Sequence, residues 1–569
     1  MYFVALATDY DGTLAEDGRV AEETIAALHS FRQSGRKLIL VTGRELPDLK
    51  RVFPHLDLFD AAVVENGAVL VDPATGEEIP LGDAAPLLFV EELRRRRVAP
   101  LSVGRSIVAT WEPNERVVLD TIRELGLELQ IVFNKGAVMV LPAGINKASG
   151  LAAALARLRL SPLNVVGIGD AENDHAFLRS CGCAVAVANA LPMVKADAEI
   201  VTNTPRGAGV VETIRHILDD DLAATIPRIG RQTVAIARDL EGKPIRLHPQ
   251  CGGMLIAGIS GGGKSTAATG LMENIVERGF QLCVVDPEGD YANVEGALVL
   301  GDAKSAPRLT EIIELLSKPE QSAVLNLLAL DIAEKPPFLS ELLPALAQLR
   351  VETARPHWLM IDEAHHLLPS GWSGAPLVLP QEFAAYVLIT VEPEHISAAA
   401  LQSIDYVLAL GGGADRVVAS FCEVVGERAP PPFGQSIGRG QALFWSRSSE
   451  ELRLVSTIRP RHEQQRHSRK YAEGELGEDK SFYFRGPESA LNLRAQNLAL
   501  FLQIAEGIDD RTWLHHLRVG DYSRWLRDKI NDRELADEVA TTENDQNLTP
   551  SESRNRVKRA IESRYTGSA

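Results

Sequence analysis

Two carboxylates follow a short apolar stretch near the N terminus. Asp9 and Asp11 are two residues apart, and an extended backbone places such side chains on the same side. Acidic groups this close repel each other unless a cation lies between them. The pair therefore indicates chemistry that is assisted by a cation.

Other predicted strands end in polar groups as well. Residues 37–42 and 164–168 are short apolar runs, and the carboxyl ends of parallel strands meet at one edge of a sheet. The hydroxyl, turn, ammonium and acidic groups expected at this edge are Thr42, Gly43, Lys147, Asp170, Asn173 and Asp174. Together they predict a site for an anionic substrate and a cation.

A glycine-rich segment in the second half of the chain fits the pattern G-x-x-x-x-G-K-[ST]. Its residues are Gly258, Gly261, Gly262, Gly263, Lys264, Ser265 and Thr266. In such a loop backbone amides face phosphates, the lysine reaches the β- and γ-phosphates, and the Ser265 hydroxyl ligates Mg²⁺. The loop predicts ATP binding.

Two more acidic residues end a later apolar stretch, which is the usual companion of such a loop. We expect Asp362 to hold Mg²⁺ through water, and Glu363 to orient or deprotonate the attacking water. The next predicted strand ends in Thr390, interpreted as a sensor of the γ-phosphate. ATP hydrolysis is the leading interpretation, and ATP binding without turnover is the alternative.

The elements around these residues repeat strand, glycine-rich turn and helix, as α/β domains with parallel sheets do. We predict an α/β domain over residues 1–221 with an inserted α/β cap over 72–141, then an α/β P-loop domain over 227–460. A helical accessory region follows over 461–569, with helical periodicity at 490–505 and 512–539. Its polar end lacks an apolar stripe and predicts a partly disordered tail.

The composition is that of a multidomain globular protein. Of 569 residues, 45% are hydrophobic and 24% charged, and this length exceeds what one core organises. Lys and Arg number 59 against 77 Asp and Glu, a net charge of −18, so nucleic acid is not a favoured partner. We find no membrane-spanning stretch and no signal-peptide pattern, and the odd count of five cysteines argues for reduced thiols. We expect a cytoplasmic protein without a membrane partner.

The first set of residues resembles the haloacid dehalogenase (HAD) superfamily of phosphatases, in particular its Cof-type, sugar-phosphatase-like subgroup. The resemblance covers residues 1–220 and includes residues 64–68 (VENGA), similar to the subgroup's ENGA turn. It implies a HAD-like Rossmannoid fold. It also implies that Asp9 attacks phosphorus, while Asp11 protonates the leaving alcohol and then activates water.

The same resemblance implies a Mg²⁺ site and a phosphate site. The Mg²⁺ ligands would be Asp9, the backbone carbonyl of Asp11 and Asp170, with Asp174 close by. The groups for the phosphoryl oxygens would be Thr42, Gly43 and Lys147, with Asn173 positioning the phosphate. The implied substrate is a small phosphorylated metabolite, either a sugar phosphate or a phosphoglycolate-like acid. A domain that keeps the fold without the activity is the alternative.

The second set resembles the HerA/FtsK-type additional-strand ATPases, many of which are ring-shaped pumps of nucleic acid or protein. The resemblance rests on the glycine-rich loop, the acidic strand and residues 284–291 (VVDPEGDY). The resemblance implies that ATP is a substrate, and it is compatible with a homo-oligomer formed through this domain. That family often has a Thr-Gln pair after the sensor strand, whereas Val391 follows Thr390 here, so coupling to a translocated polymer is not implied.

Three hypotheses follow from the two sets. The leading one is a bifunctional chain with a Mg²⁺-dependent phosphomonoesterase followed by a P-loop ATPase. A second is a motor or remodelling ATPase whose HAD-like domain recognises or regulates. In a third, ATP occupancy controls the phosphatase.

Overall fold

The computed structural model of the protein describes residues 1–225, 229–259, 262–371, 385–438, 440–449, 451–461, 476, 480–530, 532–545 and 547–565. The chain forms two compact units, Met1–Arg461 and His462–Ala569. The first unit contains two α/β regions, and the second is mainly helical. Among the described residues, no helix is long and apolar enough to cross a bilayer.

The first α/β region consists of a main sheet, its flanking helices and a cap. Its strands are β1 (Ala5–Thr8), β2 (Lys37–Val41), β3 (Ala61–Val64), β4 (Val69–Val71), β5 (Glu78–Pro80), β6 (Ser102–Val103), β7 (Val108–Trp111), β8 (Leu129–Asn134), β9 (Ala137–Pro142), β10 (Val165–Gly169), β11 (Cys183–Ala186) and β12 (Ile200–Val201). Its helices are α1 (Glu22–Gln33), α2 (Leu46–Val52), α3 (Leu87–Arg95), α4 (Glu115–Leu125), α5 (Lys147–Leu158), α6 (His175–Ser180), α7 (Pro192–Asp197) and α8 (Arg206–Asp220).

Strand β1 lies inside the eight-stranded main sheet, whose order is β12-β11-β10-β1-β2-β3-β4-β5. It runs parallel to β10 and β2, with Thr8 opposite Ile168 and Leu40. All of β1 is buried, as expected for a short apolar strand that helices cover on both faces. The carboxyl ends of these three strands therefore meet at one edge, and the predicted site residues follow there.

The cap is an antiparallel sheet of four strands, in the order β6-β7-β9-β8, with α3 and α4 packed on it. Phe89, Leu93 and Val118 bury the apolar faces of the two helices. The cap was expected to begin at Asp72, but β5 pairs with β4 and extends the main sheet to Pro80. The difference arises because this hairpin continues the core before the chain enters the cap.

The second α/β region forms a larger, mixed sheet. Its strands are β13 (Val234–Arg238), β14 (Pro244–Leu247), β15 (Gly253–Gly258), β16 (Leu282–Asp286), β17 (Ala297–Leu300), β18 (Ser322–Asn326), β19 (Trp358–Ile361), β20 (Tyr386–Thr390), β21 (Ile404–Leu410), β22 (Gln441–Ser446) and β23 (Leu452–Thr457). Its helices are α9 (Lys264–Glu277), α10 (Leu309–Leu316), α11 (Lys335–Thr353), α12 (Ala364–Leu367), α13 (Ala398–Leu401) and α14 (Ala414–Val425).

The 11-stranded sheet has the order β14-β13-β23-β22-β21-β15-β20-β19-β16-β18-β17. Strands β15 to β21 pair in parallel, and β22, β23, β13 and β14 add an antiparallel edge. Strand β20 lies between β15, which leads into the glycine-rich loop, and β19, which leads into the acidic pair. The parallel part therefore collects the predicted ATP-site residues at its carboxyl edge.

A buried histidine joins the two α/β regions. His357, just before β19, has its Nε2 atom 2.9 Å from the Oδ1 atom of Asn164, just before β10. His357 Nδ1 accepts a hydrogen bond from the Gln281 backbone N–H at 2.9 Å, so its Nε2 carries the proton and donates. Asn164 Nδ2 donates to the Tyr2 carbonyl at 3.0 Å. The junction thus connects the amino ends of two strands whose carboxyl ends lead into the two candidate sites.

The second unit has a short hairpin and five helices among its described residues. They are β24 (Phe482–Phe484), β25 (Leu493–Ala495), α15 (Leu498–Gly507), α16 (Asp510–Val519), α17 (Asp521–Asp528), α18 (Arg533–Asn544) and α19 (Pro550–Tyr565). Its own core includes Phe501, Trp513, Tyr522 and Trp525.

Three details of this unit differ from the sequence-based expectation. The helix predicted at 490–505 begins only at Leu498, because β25 pairs with β24 and Asn497 caps the helix by accepting the Leu500 N–H. The helix predicted at 512–539 is interrupted, since Gly520 (φ +73°) ends α16. The expected partly disordered end contains α19, which buries Val557 and Ile561.

Candidate active sites

A buried lysine links two carboxylates at the carboxyl edge of the main sheet. Lys147 Nζ donates to Asp9 Oδ1 at 2.5 Å and to Asp174 Oδ1 at 2.6 Å. All three side chains are almost inaccessible to solvent. Burial alone would lower the pKa of Lys147, but the charges of Asp174 and Asp9 raise it above its ordinary value. Lys147 is therefore a fixed positive charge beside Asp9.

Local packing of α5 places Lys147 there. Asn146 caps the helix by accepting the backbone N–H groups of Ala148 and Ser149 at 2.9 and 3.0 Å. The turn before β4 contains Gly67 at φ +109°, where a Cβ atom would lie 2.0 Å from the Asn146 carbonyl oxygen. Only glycine fits this contact, so the turn brings the first residue of α5 directly against the sheet edge.

Three acidic residues at this edge lie close enough to share a metal ion. Asp9, Asp170 and Asp174 are buried, and one oxygen of each lies within 4.8 Å of the others. Asp174 Oδ2 also accepts the backbone N–H groups of Asp170 and Ala171, both at 2.9 Å. Burial, and next the charge of Asp174, raise the pKa of Asp9, as expected where acids are crowded.

This donor set fits Mg²⁺. Carboxylate oxygens are the ligands that this hard cation prefers. Gly12 leaves room beside Asp170, since a Cβ atom there would lie 2.4 Å from Asp170 Oδ2. The residues that could hold the ion are Asp9, Asp170 and Asp174, together with the nearby Asp11 backbone.

The side chain of Asp11 points to a different partner. Its two oxygens accept hydrogen bonds from Arg44 Nε and Nη2, both at 2.7 Å, and Arg44 also bonds to Asp48. Asp11 is about half exposed, unlike the three clustered acids. Arg44 thus holds the Asp11 carboxylate in a bidentate ion pair, apart from the metal-binding cluster.

The predicted phosphate-binding residues lie around the same edge. Thr42 is buried and its Oγ1 accepts the Arg44 backbone N–H at 3.2 Å. A Cβ atom at Gly43 would lie 3.9 Å from Asn173 Nδ2, which places the two residues side by side. Asn173 Nδ2 donates to Asn66 Oδ1 at 2.9 Å, while Asn173 Oδ1 and Asn66 Nδ2 are buried with no hydrogen-bond partner in the structure. These free amide atoms suit a polar ligand.

The cap is anchored on the core by Glu65. Its carboxylate accepts the backbone N–H groups of Arg105, Ser106 and Ile107 at 2.9, 2.8 and 3.1 Å. Three such bonds to one buried carboxylate fix the β6–β7 segment over the site. A second cap contact comes from Lys135, whose Nζ donates to Asp170 Oδ2 at 2.5 Å.

In the second α/β region, Lys264 lies at the first position of α9 and turns back onto its own loop. Its Nζ donates to the Gly258 and Ile259 carbonyls at 2.8 and 3.2 Å. Burial lowers the pKa of Lys264, and the negative charges of Glu363 and Asp362 offset only part of this shift. A Cβ atom at Gly258 would lie 2.2 Å from the Leu410 carbonyl oxygen, so the loop leaves β15 where only glycine fits.

The other loop residues are placed as follows. Gly262 and Gly263 lead into α9, where Ser265 is half-buried and Thr266 is exposed. Gly261 lies outside the described residues. The described part of the loop thus has the strand-to-helix form that its spacing predicts.

The acidic pair and the predicted sensor meet at the ends of β19 and β20. Asp362 is buried, and Glu363 adopts φ +41° as the chain turns into α12. His365 Nδ1 lies 3.2 Å from Thr390 Oγ1 and 3.5 Å from Glu363 Oε2. His365 therefore stands between the predicted water activator and the predicted sensor.

Four residues at the first site were not assigned a role from the sequence. Arg44 and Asn66 adjoin motif residues, so their positions in the motifs were an available signal. Glu65 and Lys135 act between cap and core, and no spacing along the chain indicates that contact.

Family models match both α/β regions. The haloacid dehalogenase-like hydrolase model matches residues 6–83 and 120–214, and an AAA domain model matches residues 247–395. These matches cover the β-strands that carry the two candidate sites.

Three archaeal proteins are similar to part of the chain. The phosphoglycolate phosphatase of Methanopyrus kandleri is 31% identical over 224 residues, which is 37% of this chain and 96% of that protein. The phosphoglycolate phosphatase of Methanothermobacter thermautotrophicus is 30% identical over 223 residues, covering 38% and 98%. Phosphoglycolate phosphatase 2 of Saccharolobus solfataricus is 29% identical over 237 residues, covering 39% and 96%.

Proposed function

Because the chain belongs to the haloacid dehalogenase-like hydrolases through its first α/β region, we propose that this region hydrolyses phosphomonoesters through an aspartyl phosphate on Asp9. The observation that carries the proposal is the buried arrangement of Lys147 between Asp9 and Asp174, with Asp170 beside them. It combines a nucleophile, a fixed cation and a set of metal ligands within one cluster.

The reaction has two halves. An Asp9 oxygen attacks phosphorus, and the bond from phosphorus to the alcohol oxygen breaks while Asp11 gives that oxygen its proton. Asp11 then takes a proton from water, whose oxygen attacks phosphorus and releases inorganic phosphate and free Asp9.

The surrounding residues stabilise the charge that develops on the phosphoryl group. Lys147 and the Thr42 and Gly43 segment bind its oxygens, and Asn173 orients it. Asp9, Asp170 and the Asp11 carbonyl, with Asp174 nearby, would hold Mg²⁺, which would supply Lewis-acid charge.

The proposed substrate is a small phosphorylated metabolite, a phosphoglycolate-like acid or a sugar phosphate. Three relatives named phosphoglycolate phosphatase support the first class. The cap supports a small substrate, because Glu65 fixes its β6–β7 segment against the core.

For the second α/β region we propose ATP hydrolysis. Lys264 and Ser265 would contact the phosphates and Mg²⁺, Asp362 would hold the ion through water, and Glu363 would activate the attacking water. The position of β20 between β15 and β19 supports an additional-strand ATPase of the HerA/FtsK type. A motor that uses the phosphatase-like region for recognition is the second candidate function, and in either case any homo-oligomer would form through the ATPase region.

One experiment tests both proposals. The purified chain is assayed with Mg²⁺ for phosphate release from an aryl phosphate, sugar phosphates and phosphoglycolate, and separately for ATP turnover with and without DNA. We expect ester hydrolysis that a chelator abolishes. Absence of phosphate release from every ester, with ATP turnover intact and raised by DNA, would replace the phosphatase proposal by the motor.

A further inference from the structure

Lys135 is a cation that the cap contributes to the phosphatase-like site. Its Nζ donates to Asp170 Oδ2 at 2.5 Å. The Lys135 side chain is 46% exposed, whereas that of Asp170 is 1% exposed. The lysine therefore reaches a buried acid from the open side of the site, where a substrate enters.

The turn that carries Lys135 is unusually constrained. Asn134 pairs with Ala137 in the β8–β9 hairpin, so Lys135 and Gly136 form a two-residue turn. Both adopt positive φ, +48° and +86°. Two-residue turns of this kind favour Asn and Gly at both positions, and a non-glycine residue there costs about 1 kcal/mol or more. The turn thus fixes the backbone from which the Lys135 side chain extends to Asp170.

The position of Lys135 favours the organic end of a substrate. Under the proposed function the phosphoryl oxygens are bound by core residues, and Asp9 attacks from the buried side. Attacking and leaving oxygens lie roughly in line, so the leaving group faces away from Asp9 and toward the cap. Met139, on the strand that follows Lys135, covers the phosphate side, since a Cβ atom at Gly43 would lie 3.7 Å from its Sδ atom.

Charge balance indicates what Lys135 would bind. Asp11 is paired with Arg44, and Asp9 and Asp174 share Lys147. A divalent cation on Asp170 would neutralise the acid that Lys135 now contacts. The half-buried ammonium would then favour a new anionic partner, because charge-assisted hydrogen bonds are stronger than neutral ones.

We propose that Lys135 is a specificity-determining residue that binds a carboxylate on the organic part of a small phosphomonoester. This inference rests on the proposed function and narrows its substrate to phosphorylated carboxylic acids. Neutral sugar phosphates would lack the group that Lys135 recognises.

The test is a binding comparison with two stable phosphonates. Carboxyethylphosphonate carries a carboxylate and propylphosphonate does not. Calorimetric titration with Mg²⁺ is done for the wild type, Lys135→Met, Lys135→Arg and the control Arg95→Met, which removes an exposed cation on cap helix α3. We expect the wild type and the control to prefer the carboxylate probe by roughly tenfold to hundredfold. Lys135→Met should lose this preference and Lys135→Arg should keep part of it.

Two results would overturn the proposal. An equal loss of affinity for both probes in Lys135→Met would assign Lys135 to the phosphoryl group or the metal. A preference that is unchanged in Lys135→Met, or missing in the wild type, would place carboxylate recognition elsewhere.

A kinetic comparison separates this inference from the proposed function. The ratio of kcat/KM for phosphoglycolate to that for an aryl phosphate should fall in Lys135→Met, mainly through KM. If the wild type hydrolyses neither ester, the proposed function fails, while the binding preference still decides the role of Lys135. If it hydrolyses both and Lys135→Met leaves the ratio unchanged, the inference alone fails.

Discussion

Two buried lysines, Lys147 and Lys264, occupy the first position of a helix at the two candidate sites, yet their partners differ. Lys147 bonds to two carboxylates, whereas Lys264 bonds to two carbonyl groups of its own loop. The pKa of Lys147 is raised and that of Lys264 is lowered, although burial acts in the same direction on both. The direction of each pKa shift therefore depends on whether acidic groups contact the lysine.

The difference teaches how each site is stabilised. At the first site the protein supplies both signs of charge, so the lysine and the acids hold one another in place. At the second site Asp362 and Glu363 influence Lys264 only from a distance. The ammonium is held instead by hydrogen bonds to two backbone carbonyls. We therefore expect the first site to be a structural part of its region and the second to be dispensable for folding.

The largest expected effect separates the two chemistries. Asp9→Asn matches the carboxylate in shape but is a poor nucleophile, so phosphomonoester hydrolysis should fall by at least roughly a thousandfold. ATP turnover should remain. An aryl phosphate with Mg²⁺ and a coupled ATPase assay measure the two activities on the same preparation.

Lys264→Ala is the reciprocal variant, because it removes the charge-assisted contact that we propose to the β- and γ-phosphates. It should lose ATP binding and keep the phosphatase, and Glu363→Gln should bind ATP without hydrolysing it. Wild-type ester turnover in Asp9→Asn would contradict the covalent mechanism. Loss of ester hydrolysis in a folded Lys264→Ala would show that ATP occupancy controls the phosphatase.

The next largest effect is on stability. Lys147→Met would leave Asp9 and Asp174 buried side by side without a cation. Removal of one partner from a buried ion pair lowers the free energy of unfolding by about 3–5 kcal/mol. Lys264→Met removes a charge that Asp362 and Glu363 influence without a direct ion pair among the described residues, so it should change the free energy of unfolding less, by about 1 kcal/mol. Urea denaturation in the presence of a chelator measures both.

The chelator matters because a divalent cation could replace the lost ammonium. Added Mg²⁺ should therefore restore part of the stability of Lys147→Met and little of that of Lys264→Met. Equal destabilisation by the two variants would remove the distinction between the sites.

Much of this comparison was accessible from the sequence. Short apolar runs before Asp9, Asp170 and Asp362 predict parallel strands that end in acids, and the structure has strands ending at Thr8, Gly169 and Ile361. These features are local, since apolar runs, caps and glycine turns are encoded within a few residues.

The rest depends on contacts between distant segments. The Glu65 bonds to the cap, the Lys135–Asp170 pair and the His357–Asn164 junction join residues far apart in sequence. No periodicity or spacing encodes such pairings. Tertiary pairing also overrode periodicity in the second unit, where β25 replaced the start of a predicted helix.

A smaller effect concerns the junction, which both sites share at the amino ends of their strands. The ring of His248 also belongs to this junction, with its centroid 5.1 Å from that of Tyr2. Burial lowers the pKa of His357 well below its ordinary value and lowers the pKa of His248 to about 3. Both histidines are therefore neutral in the folded protein and take up protons when it unfolds. Stability should be fully present above about pH 6.5 and fall below it by about 1.4 kcal/mol per pH unit for each histidine.

Thermal unfolding measured between about pH 7.5 and about pH 5.5 tests this sign. His357→Gln should lower stability at neutral pH and make the acid slope shallower, while His395→Gln, at an exposed position, should leave the slope unchanged. An acid slope in His357→Gln that equals the wild-type slope would contradict the linkage, because other groups contribute equally to both proteins. If His357→Gln keeps both ester hydrolysis and ATP turnover, this result would support two sites that act independently of each other.

The smallest expected effect concerns nucleic acid. The net charge of −18 opposes contact with phosphate backbones. Thr390 is followed by Val391 rather than by the Thr-Gln pair frequent in the ATPase family that the second set of motifs resembles. Duplex or single-stranded DNA at moderate salt should therefore change ATP turnover by less than about twofold. Glu363→Gln serves as the blank, since it should hydrolyse no ATP with or without DNA. A severalfold rise in turnover would mean that a local basic surface outweighs the overall charge, and it would favour the motor over the independent ATPase.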